Sequence, residues 1–340
     1  KHLRTLSNNK SIGFVATMGS LHDGHISLIN SSKSICKITV CSIFINPTQF
    51  NNFEDYKNYP TNYNHDIKLL KNASCDILYI PKAKDLYEKK VESKKYNLGK
   101  VAENLEGKYR PGHFDGVATV VDKLLNIINP HIAFFGKKDL QQLQVIKKLV
   151  EITDKNIDIV GVKTVRESNG LAKSSRNKLL LKEEKIEASI IFECLQYCKL
   201  NRDSEIKDLK LFVEKQFLQH QNIKLEYVEF VDLNTFDKIT EWGESKTNAI
   251  CIAAVFAYRE GRLPMLSEHQ EQQSLLNNQC YENEDPFLEP IQRKIESWNK
   301  GYKFSTRNVL IDSELRDGNK ITAADMQNAA RILKELGCSR

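Results

Sequence analysis

The sequence lacks several features that would define a class of protein at once. No apolar run in its 340 residues approaches the ~18–20 residues that a membrane-spanning helix requires, so a membrane span is not expected. No signal peptide precedes the first predicted strand, which favours a reducing cytoplasm. No internal repeat divides the chain.

Paired cysteine motifs are also missing. Cys194 and Cys198 would face the same side of a helix, but no second pair completes a zinc site. We therefore expect buried thiols rather than a metal centre. The eight cysteines, none of them in a C-x-x-C pair, are Cys36, Cys41, Cys75, Cys194, Cys198, Cys251, Cys280 and Cys338.

What is present is an ordinary globular composition, with 41% hydrophobic and 28% charged residues. The length suffices for two or three domains. The net charge of +6 is compatible with an anionic substrate, but it is too diffuse to argue for nucleic acid. The chain begins with Lys1 rather than Met, so we expect further residues before it.

Strand and helix signals alternate over the first part of the chain. Strands separated by helix-length segments predict parallel βαβ units, and hence a doubly wound, Rossmann-like α/β sheet in a domain spanning residues 1–176. Ligands of such sheets gather at the carboxyl ends of the strands. The strand signals are SIGFVAT (11–17), KITVCSIFIN (37–46), CDILYIP (75–81), IAFFG (132–136) and IDIVGVKTV (157–165), and the helix signals include ISLINSSKSIC (26–36) and DLQQLQVIKKLVE (139–151).

The composition changes after that domain. Two helix signals (182–200 and 203–220) and two strand signals (223–233 and 248–256) predict a smaller α+β domain over residues 177–254. Residues 255–286 are polar and rich in Gln, Asn and Glu, as in a linker or a solvated helix. Three more helix signals, including 305–315, predict a small helical, winged-helix-like module over residues 287–340, whose last helix opens on the capping box Thr322-x-x-Asp325 and closes on Gly337.

The stretch ATMGSLHDGH (16–25) carries the first chemical signal. Gly19 and Gly24 allow a sharp turn and a close approach to a ligand. The turn leads into a helix whose first N–H groups and dipole favour an anion. His22 and His25 can donate hydrogen bonds to phosphate oxygens, and these bonds strengthen as charge builds up in a transition state. Taken alone, H-x-G-H is equally compatible with two surface histidines on a turn.

Four further segments are expected to reach the same crevice. Gln49 can bind a carboxylate or hydroxyl, while Arg110 and His113 belong to a polar loop that could cover a site. Lys138 can pair with a phosphate as a point charge, although a solvated helix start is the alternative. The segments are FINPTQF (44–50), EGKYRPGHFDGVATVVDKL (106–124), FFGKKDLQQ (134–142) and NGLAKSSRN (169–177), the last with two hydroxyls, a lysine and an arginine suited to phosphates.

Together these motifs resemble a known family. An H-x-G-H after the first strand and a K-S-S-R loop are similar to those of the nucleotidylyl-transferase superfamily. The ordered set TMGSLHDGH, FINPTQF, GKYRPGHFDGVATVV, FFGKKDLQQL and RESNGLAKSSRN resembles the pantothenate synthetase (pantoate–β-alanine ligase) family over residues 11–254. The resemblance implies an H-x-G-H-type fold and the ATP-dependent condensation of (R)-pantoate with β-alanine to pantothenate.

The implied reaction has two steps. The pantoate carboxylate attacks the α-phosphate of Mg-ATP to give pantoyl adenylate and pyrophosphate, and the β-alanine amine then attacks the acyl carbon and expels AMP. Both steps depend mainly on positioning and on stabilising charge around phosphorus, for which histidines, a lysine and helix N-termini are suited. The resemblance further implies ATP as a substrate, Mg²⁺ carried by ATP without protein ligands, a homodimer and a cytoplasmic location.

The resemblance also implies site residues. Catalysis would involve His25, in the position of the family's proton donor, with His22, Lys138, Ser174, Ser175 and Arg176. ATP would be bound by Met18, Gly19, Ser20, Leu21, His22, Asp23, Gly24, His25, Gly136, Lys137, Lys138, Asp139, Val165, Lys173, Ser174, Ser175 and Arg176. Pantoate and β-alanine would be bound by Gln49, Arg110, His113 and Gln142.

Several positions depart from the family pattern. Ala16 stands where the family usually has proline, Lys137 replaces a common glutamate, and Lys173 replaces a usual methionine. Lys173 could serve the phosphates or could disturb adenine packing, and the sequence leaves both open. The family's amino-terminal segment is largely absent and its closing strand breaks off after AICIAA (249–254), so we expect a truncated smaller domain.

From about residue 255 the tail resembles the carboxyl-terminal segment of virulence-associated E-type proteins, which are phage- and plasmid-linked ATPase or primase-helper proteins. The tail has no P-loop, and its basic residues are interleaved with acids as on a solvated face. A folded appendage with no function of its own is therefore preferred to a nucleic-acid-binding module, and the abrupt switch in sequence suggests a fused or chimeric reading frame. Two alternatives stay open for the chain: another nucleotidylyl transferase, which would not need Gln49 and Gln142, and an inactive chimera with a nucleic-acid-associated tail.

Overall fold

Five parallel strands of the first domain form most of the central sheet, and a sixth strand from the tail joins its edge. They are seen in a computed structural model that describes residues 10–50, 56–87, 90–233, 235–242, 249–257, 276–279 and 309–312. The strands are β1 (Ile12–Thr17), β2 (Ile38–Ile43), β3 (Ile77–Ile80), β4 (Ile132–Gly136) and β5 (Asp158–Val162), in the order β5-β4-β1-β2-β3. Every strand predicted for this part of the chain forms, and the predicted doubly wound α/β fold is confirmed.

Helices cover both faces of this sheet. Side chains alternate along each strand, so Phe14 and Phe135 pack on one face among residues of α6 and α7, while Val15 and Phe134 pack on the other face with α1 and α2. Burial on both faces explains why the strands are apolar without interruption. The helices are α1 (Asp23–Ile35), α2 (Tyr63–Asn72), α3 (Ala83–Leu86), α4 (Lys100–Glu103), α5 (Glu106–Tyr109), α6 (His113–Ile128) and α7 (Leu140–Ile152).

The strand order reverses beside β1. From β1 the chain adds β2 and β3 on one side, and then returns to place β4 and β5 on the other side. The segments that follow β1 and β4 therefore leave the sheet in opposite directions and open a crevice at the carboxyl ends of the strands. Short 3₁₀ turns shape its rim at Pro47–Gln49, Lys137–Asp139 and Ser175–Leu179.

The smaller domain packs three helices, α8 (Lys182–Glu187), α9 (Ile190–Leu200) and α10 (Ile206–Phe217), with the antiparallel strands β6 (Ile223–Asp232) and β7 (Ala249–Ala257). The helix predicted over 182–200 is divided into α8 and α9. At the break the hydroxyl of Ser189 donates to the Ile186 carbonyl (2.8 Å), a local bond that competes with the helical ladder.

The tail differs in part from the expectation. β7 continues to Ala257 and pairs with β8 (Leu276–Gln279), within the segment expected to be a linker. β9 (Val309–Asp312), within the run predicted to be helical, instead pairs in parallel with β3. A Val-Leu-Ile run suits a strand, and β3 would otherwise present an open edge. The other residues of the predicted helical module lie outside the described residues, and the domain boundaries stay predictions.

Two expectations from composition can be compared with the structure. Cys36, Cys41, Cys75, Cys194, Cys198 and Cys251 are buried free thiols, as expected, whereas Cys280 and Cys338 lie outside the described residues. Within the part of the chain that the structure describes, no helix combines the length and apolar character needed to cross a membrane.

Candidate active site

A cavity of about 310 Å³ lies at the carboxyl ends of β1, β2, β4 and β5. His22, Gln49, Lys138 and Ser175 come from four separate segments of the chain, and all of them line it. The motifs found in the sequence therefore meet in one crevice, at the point where the strand order reverses.

Most predicted site residues line this cavity. Those that do are Met18, His22, Gly24, His25, Gln49, Arg110, His113, Gly136, Lys138, Asp139, Gln142, Val165, Lys173, Ser174, Ser175 and Arg176. Those that lie outside its lining are Gly19, Ser20, Leu21, Asp23 and Lys137. Leu21 belongs to the hydrophobic core and Asp23 is exposed, so any contact of these two with ATP would have to come from the backbone or the rim.

The two histidines cap the first turn of α1. Nδ1 of His22 accepts from the Gly24 N–H (3.1 Å), and Nδ1 of His25 accepts from the His22 N–H (3.3 Å). A ring nitrogen that accepts a hydrogen bond carries no proton, so each neutral ring holds its proton on Nε2. The capping bonds thus leave one ring N–H donor on each of two cavity-lining side chains.

Both rings are neutral near pH 7. Burial, with a smaller contribution from the Lys138 ammonium, lowers the pKa of His22 to about 4. Burial also holds the pKa of His25 well below its usual value, assisted by the neighbouring His22. The ring centroids lie 4.1 Å apart, and two positive charges at that distance would repel.

The helix N-terminus reaches the cavity through these rings. Of the first N–H groups of α1, which we expected to favour an anion, that of His25 is bonded to the carbonyl of His22 (2.8 Å) and that of Gly24 to the His22 ring. The backbone donors polarise the imidazoles, and the rings in turn can donate.

The K-S-S-R loop is tied to the H-x-G-H turn. The Ser175 hydroxyl donates to the Ser20 carbonyl (3.0 Å), and the ammonium of Lys173 pairs with Asp23 and, at 3.4 Å, with Glu167. Lys173 therefore lies beside the first turn of α1.

A buried amide network holds Gln49. The Asn46 side chain is fully buried and donates from Nδ2 to Oε1 of Gln49 (3.3 Å), while its own oxygen accepts from the Tyr87 hydroxyl (2.5 Å). The His113 ring contacts the Gln49 carbonyl through Nδ1 (2.8 Å). The amide oxygen of Gln49 thus accepts from Asn46, and its Nε2 donates to the Met18 sulfur (2.9 Å), which leaves the second N–H of this NH₂ group for a ligand.

Asn46 and Tyr87 were missed by the sequence reasoning. Asn46 stands within the FINPTQF motif, where only Gln49 was selected, so a signal was present. Tyr87 lies some forty positions further along, and nothing in its local sequence links it to that motif.

Arg110 is less available to a substrate than the sequence suggested. It lines the cavity, but its guanidinium is paired with the carboxylate of Glu106 and with that of Glu226 (3.3 Å). Tyr227, which lies on β6 in the smaller domain, donates to Glu106 (2.7 Å) and also lines the cavity. The smaller domain thus supplies part of the wall, for which the sequence contained no signal.

Part of the remaining wall is apolar. Val117, Val120, Val121 and Leu124 present one face of α6 to the cavity, with Phe135 at the end of β4. A site of this composition takes a ligand with an apolar portion as well as charged groups.

The fold and the cavity together define a class: the chain has a nucleotidylyltransferase-like α/β fold with its site at the carboxyl edge of the sheet. Comparison with known proteins then gives the family. The family described as "Pantoate-beta-alanine ligase" matches residues 1–264, and the chain belongs to it.

Individual relatives agree. The chain is 43% identical over 250 residues to a pantothenate synthetase of Christiangramia forsetii. The aligned region covers 73% of this chain and 88% of that protein. It is also 43% identical over 260 residues to a pantothenate synthetase of Cytophaga hutchinsonii, with 74% of this chain and 89% of that protein covered.

Solved structures show the same similarity. A pantothenate synthetase of Thermus thermophilus has a TM-score of 0.72 at 31% identity, over 82% of this chain and 95% of that chain. A pantoate–β-alanine ligase of Francisella tularensis, complexed with beta-gamma ATP and β-alanine, has a TM-score of 0.60 at 36% identity, over 74% and 89%. The resemblance of the tail to virulence-associated E-type proteins is not shown by these comparisons.

Proposed function

We propose that this chain joins (R)-pantoate to β-alanine at the expense of ATP, giving pantothenate, AMP and pyrophosphate through pantoyl adenylate. The observation that carries the proposal is the meeting of His22, Gln49, Lys138 and Ser175 in one cavity of a chain that belongs to this family. Another nucleotidylyl transferase is not favoured, because both Gln49 and Gln142 line the same cavity and a plain transferase would not need them.

In the first step a pantoate carboxylate oxygen bonds to the α-phosphorus of ATP, and the bond from that phosphorus to the bridging oxygen of pyrophosphate breaks. Negative charge grows on the phosphate oxygens. The Nε2–H groups of His22 and His25 are oriented in advance by their capping bonds, so they can stabilise this charge without reorganising. Lys138 and Arg176, which line the cavity, add positive charge.

The step requires no proton from the protein. Pyrophosphate leaves as an anion, and the depressed pKa of His25 keeps its ring neutral. We therefore assign His25 the role of a hydrogen-bond donor rather than the proton donor that the resemblance implied.

Pantoate would lie between polar and apolar groups. The NH₂ of Gln49 and the side chain of Gln142 suit its carboxylate and hydroxyls. The two methyl groups at its third carbon suit the wall formed by Val117, Val121 and Leu124.

In the second step the amine of β-alanine forms a bond to the acyl carbon of pantoyl adenylate. The bond from that carbon to the AMP oxygen then breaks, and the amine proton passes to solvent. No covalent enzyme intermediate is needed, and catalysis comes from holding the two reactants in contact.

Further features of the family are proposals for this chain. Mg²⁺ would enter bound to the triphosphate and would neutralise part of its charge. A homodimer and a cytoplasmic location are proposed on the same basis.

The test uses the full chain with ATP, Mg²⁺, β-alanine and pantoate labelled with ¹⁸O in its carboxylate. The expected products are pantothenate and AMP, with one ¹⁸O transferred to the AMP phosphate, because the acyl oxygen leaves with AMP. Unlabelled AMP would mean that water rather than pantoate attacks ATP. Omission of β-alanine should leave pyrophosphate and enzyme-bound adenylate, and absence of both AMP and pyrophosphate in every mixture would reject the proposal.

A further inference from the structure

We infer that Asp66 is a positioning residue that fixes the H-x-G-H turn for ATP, an inference that rests on the proposed function. Asp66 lies on α2, outside the cavity lining, and is only 1% exposed. Its Oδ2 accepts from the Ser20 N–H (2.8 Å) and its Oδ1 from the Leu21 N–H (2.7 Å). One carboxylate thus satisfies two consecutive backbone donors of the turn.

The turn needs such an acceptor because of its shape. Gly19 (φ +83°) and Ser20 (φ +51°) both lie in the left-handed region, which for a serine is uncommon and costs free energy. Successive N–H groups of a turn can point to the same side, where they form a concave anion site. Here Asp66 occupies that site from the core side, so a buried carboxylate holds a backbone conformation that the chain would otherwise avoid.

The turn ends directly at the histidine cap. Leu21, whose N–H is held by Asp66, is followed by His22, the N-cap residue of α1. The N–H of His22 orients the His25 ring, so a shift of the turn would move both rings. Asp66 therefore acts on the nucleotide site through the backbone, without touching a substrate.

Other groups of the turn are held separately. Ser175 of the K-S-S-R loop donates to the Ser20 carbonyl, and Lys178, which follows that loop, donates to the Ser20 hydroxyl, each at 3.0 Å. The two sets of bonds hold different groups of Ser20: its N–H in one set, and its carbonyl and hydroxyl in the other. Ser175 lines the cavity in which the ATP phosphates would lie, whereas Asp66 lies outside it, so the Asp66 bonds are made at a distance from the ligand.

The chain offers a matched control in Asp76. Its carboxylate is also buried, accepts from a backbone N–H (Thr39, 2.7 Å) and pairs with Lys33. Asp76 precedes β3 and contacts the beginning of β2, at the amino end of the sheet and away from the cavity. Asp66→Asn and Asp76→Asn both keep the side-chain shape, and both replace one acceptor oxygen by a donor that faces an N–H or a lysine.

The experiment measures the two half-reactions separately in both variants. Adenylation is followed as pantoate-dependent pyrophosphate release, and the second step as pantothenate formation from supplied pantoyl adenylate and β-alanine. Asp66→Asn should raise the KM for ATP and lower the adenylation rate by about 10–10²-fold, as misplaced groups commonly do, while the second step stays close to the wild-type rate. Asp76→Asn should lower the unfolding temperature but leave adenylation unchanged.

A second readout does not depend on activity. Ring ¹⁵N–¹H spectra of the wild-type chain should show His22 and His25 as Nε2–H tautomers, and Asp66→Asn should mix the tautomers of these two residues but not that of His113. If the wild-type chain makes no pantothenate, the proposed function fails while this readout still tests the role of Asp66.

Two results would overturn the inference. One is an Asp66→Asn chain whose ring tautomers and KM for ATP equal those of the wild type. The other is an equal loss of both half-reactions in Asp66→Asn and Asp76→Asn. If Asp66→Asn does not fold, Asp66→Ser is compared with Asp76→Ser, because serine keeps one acceptor and introduces no amide opposite the N–H groups. An unchanged KM for ATP in Asp66→Ser then overturns the inference.

Discussion

At the scale of single residues, the H-x-G-H motif combines capping with ligand contact. Three-residue spacing is that of a capping box, and here each histidine supplies its Nδ1 to the backbone. The glycine between them makes room, because a Cβ at Gly24 would lie 2.8 Å from Cε1 of the His22 ring. The motif thus fixes the tautomer and the direction of two donors at once.

The two roles of His25 can be separated by substitution. In His25→Asn the amide oxygen replaces Nδ1 as the acceptor for the His22 N–H, but the donor at the Nε2 position is lost. We expect adenylation to fall by ~10²–10³-fold while the unfolding temperature changes little. His25→Gln, which places an N–H₂ near the Nε2 position, should recover part of the rate; a wild-type rate in the Asn variant, measured by pyrophosphate release, would exclude the donor role.

The depressed pKa of His22 predicts a stability that depends on pH. Its folded value of about 4 lies below the ordinary 6.5, so the unfolded chain binds more protons between these values. The contribution of His22 is fully present above pH 6.5 and is lost as the pH falls toward 4. Protonation would also convert Nδ1 into a donor and break the bond from Gly24.

The measurement is the free energy of unfolding from pH 4 to 8 for the wild type and for His22→Asn. Asparagine also caps helices but does not titrate. The free energy of unfolding of the variant should rise relative to that of the wild type as the pH falls from 6.5 to 4, by as much as about 3 kcal/mol. Parallel curves would contradict the shifted pKa of His22.

At the scale of elements, α6 lies unusually close to the segment after β2. A Cβ at Gly116 would come within 2.3 Å of the Thr48 carbonyl oxygen and 2.8 Å of the Gln49 Cα. The Asn46 amide also donates to the Gly116 carbonyl (3.1 Å). The position of Gln49 in the cavity therefore depends on the absence of a side chain on a neighbouring helix.

Gly116→Ala should consequently destabilise the chain, although alanine has a higher helix propensity than glycine. Alanine in a helix interior ordinarily stabilises by about 1 kcal/mol relative to glycine. Here the collision is with backbone, so we expect destabilisation by about 1–3 kcal/mol, as for other overpacked sites. The KM for pantoate should rise more than the KM for ATP; an increase in the unfolding temperature with unchanged KM values would contradict the close approach.

At the scale of the whole molecule, a buried charge cluster joins the two domains. Glu106 and Arg110 lie beside the cavity in the first domain, while Glu226 and Tyr227 lie on β6 of the smaller domain. The Glu226 side chain is 4% exposed, and its Oε1 makes no hydrogen bond among the described residues. Burial, despite the attraction of Arg110, raises the pKa of Glu226 to about 7.

This raised pKa predicts that Glu226→Gln stabilises the protein at alkaline pH. Between pH 4.5 and 7 the folded chain binds more protons at Glu226 than the unfolded chain does. The contribution of Glu226 to stability is therefore fully present below pH 4.5 and is lost as the pH rises through 7. Glutamine avoids the buried charge. The free energy of unfolding of the variant should therefore exceed that of the wild type by about 1–3 kcal/mol at pH 8 but not near pH 4.5.

Glu229 on the same strand is the matched control. Burial would raise its pKa, but hydrogen bonds from Lys238 and Lys210 outweigh that effect and lower it. Glu229→Gln should therefore destabilise the chain at pH 8. Chemical unfolding of both variants at pH 5 and 8 measures the difference, and equal signs at pH 8 would refute the assignment to Glu226.

How much of the site could be predicted depends on how far apart in the sequence the interacting residues lie. Residues in motifs directly after strands, such as His22, Gln49 and Lys138, were found because the carboxyl edge of a parallel sheet gathers them whatever the details of packing. Asp66 and Tyr227 were not found. Each meets its partner only after helices or domains pack, and neither has a local pattern that sets it apart from other residues of its helix or strand.

The alternation of strands and helices, the crevice at the strand ends and the family could all be inferred from the order of residues alone, because these depend on periodicity and on motifs read within a few residues. Three-dimensional packing was needed to show which charges are neutralised, as for Arg110, which ring nitrogens carry protons, and how the H-x-G-H turn is held. These depend on burial and on partners from distant segments, and the free energy of a buried polar group is set by the neighbour it meets rather than by its place in the chain.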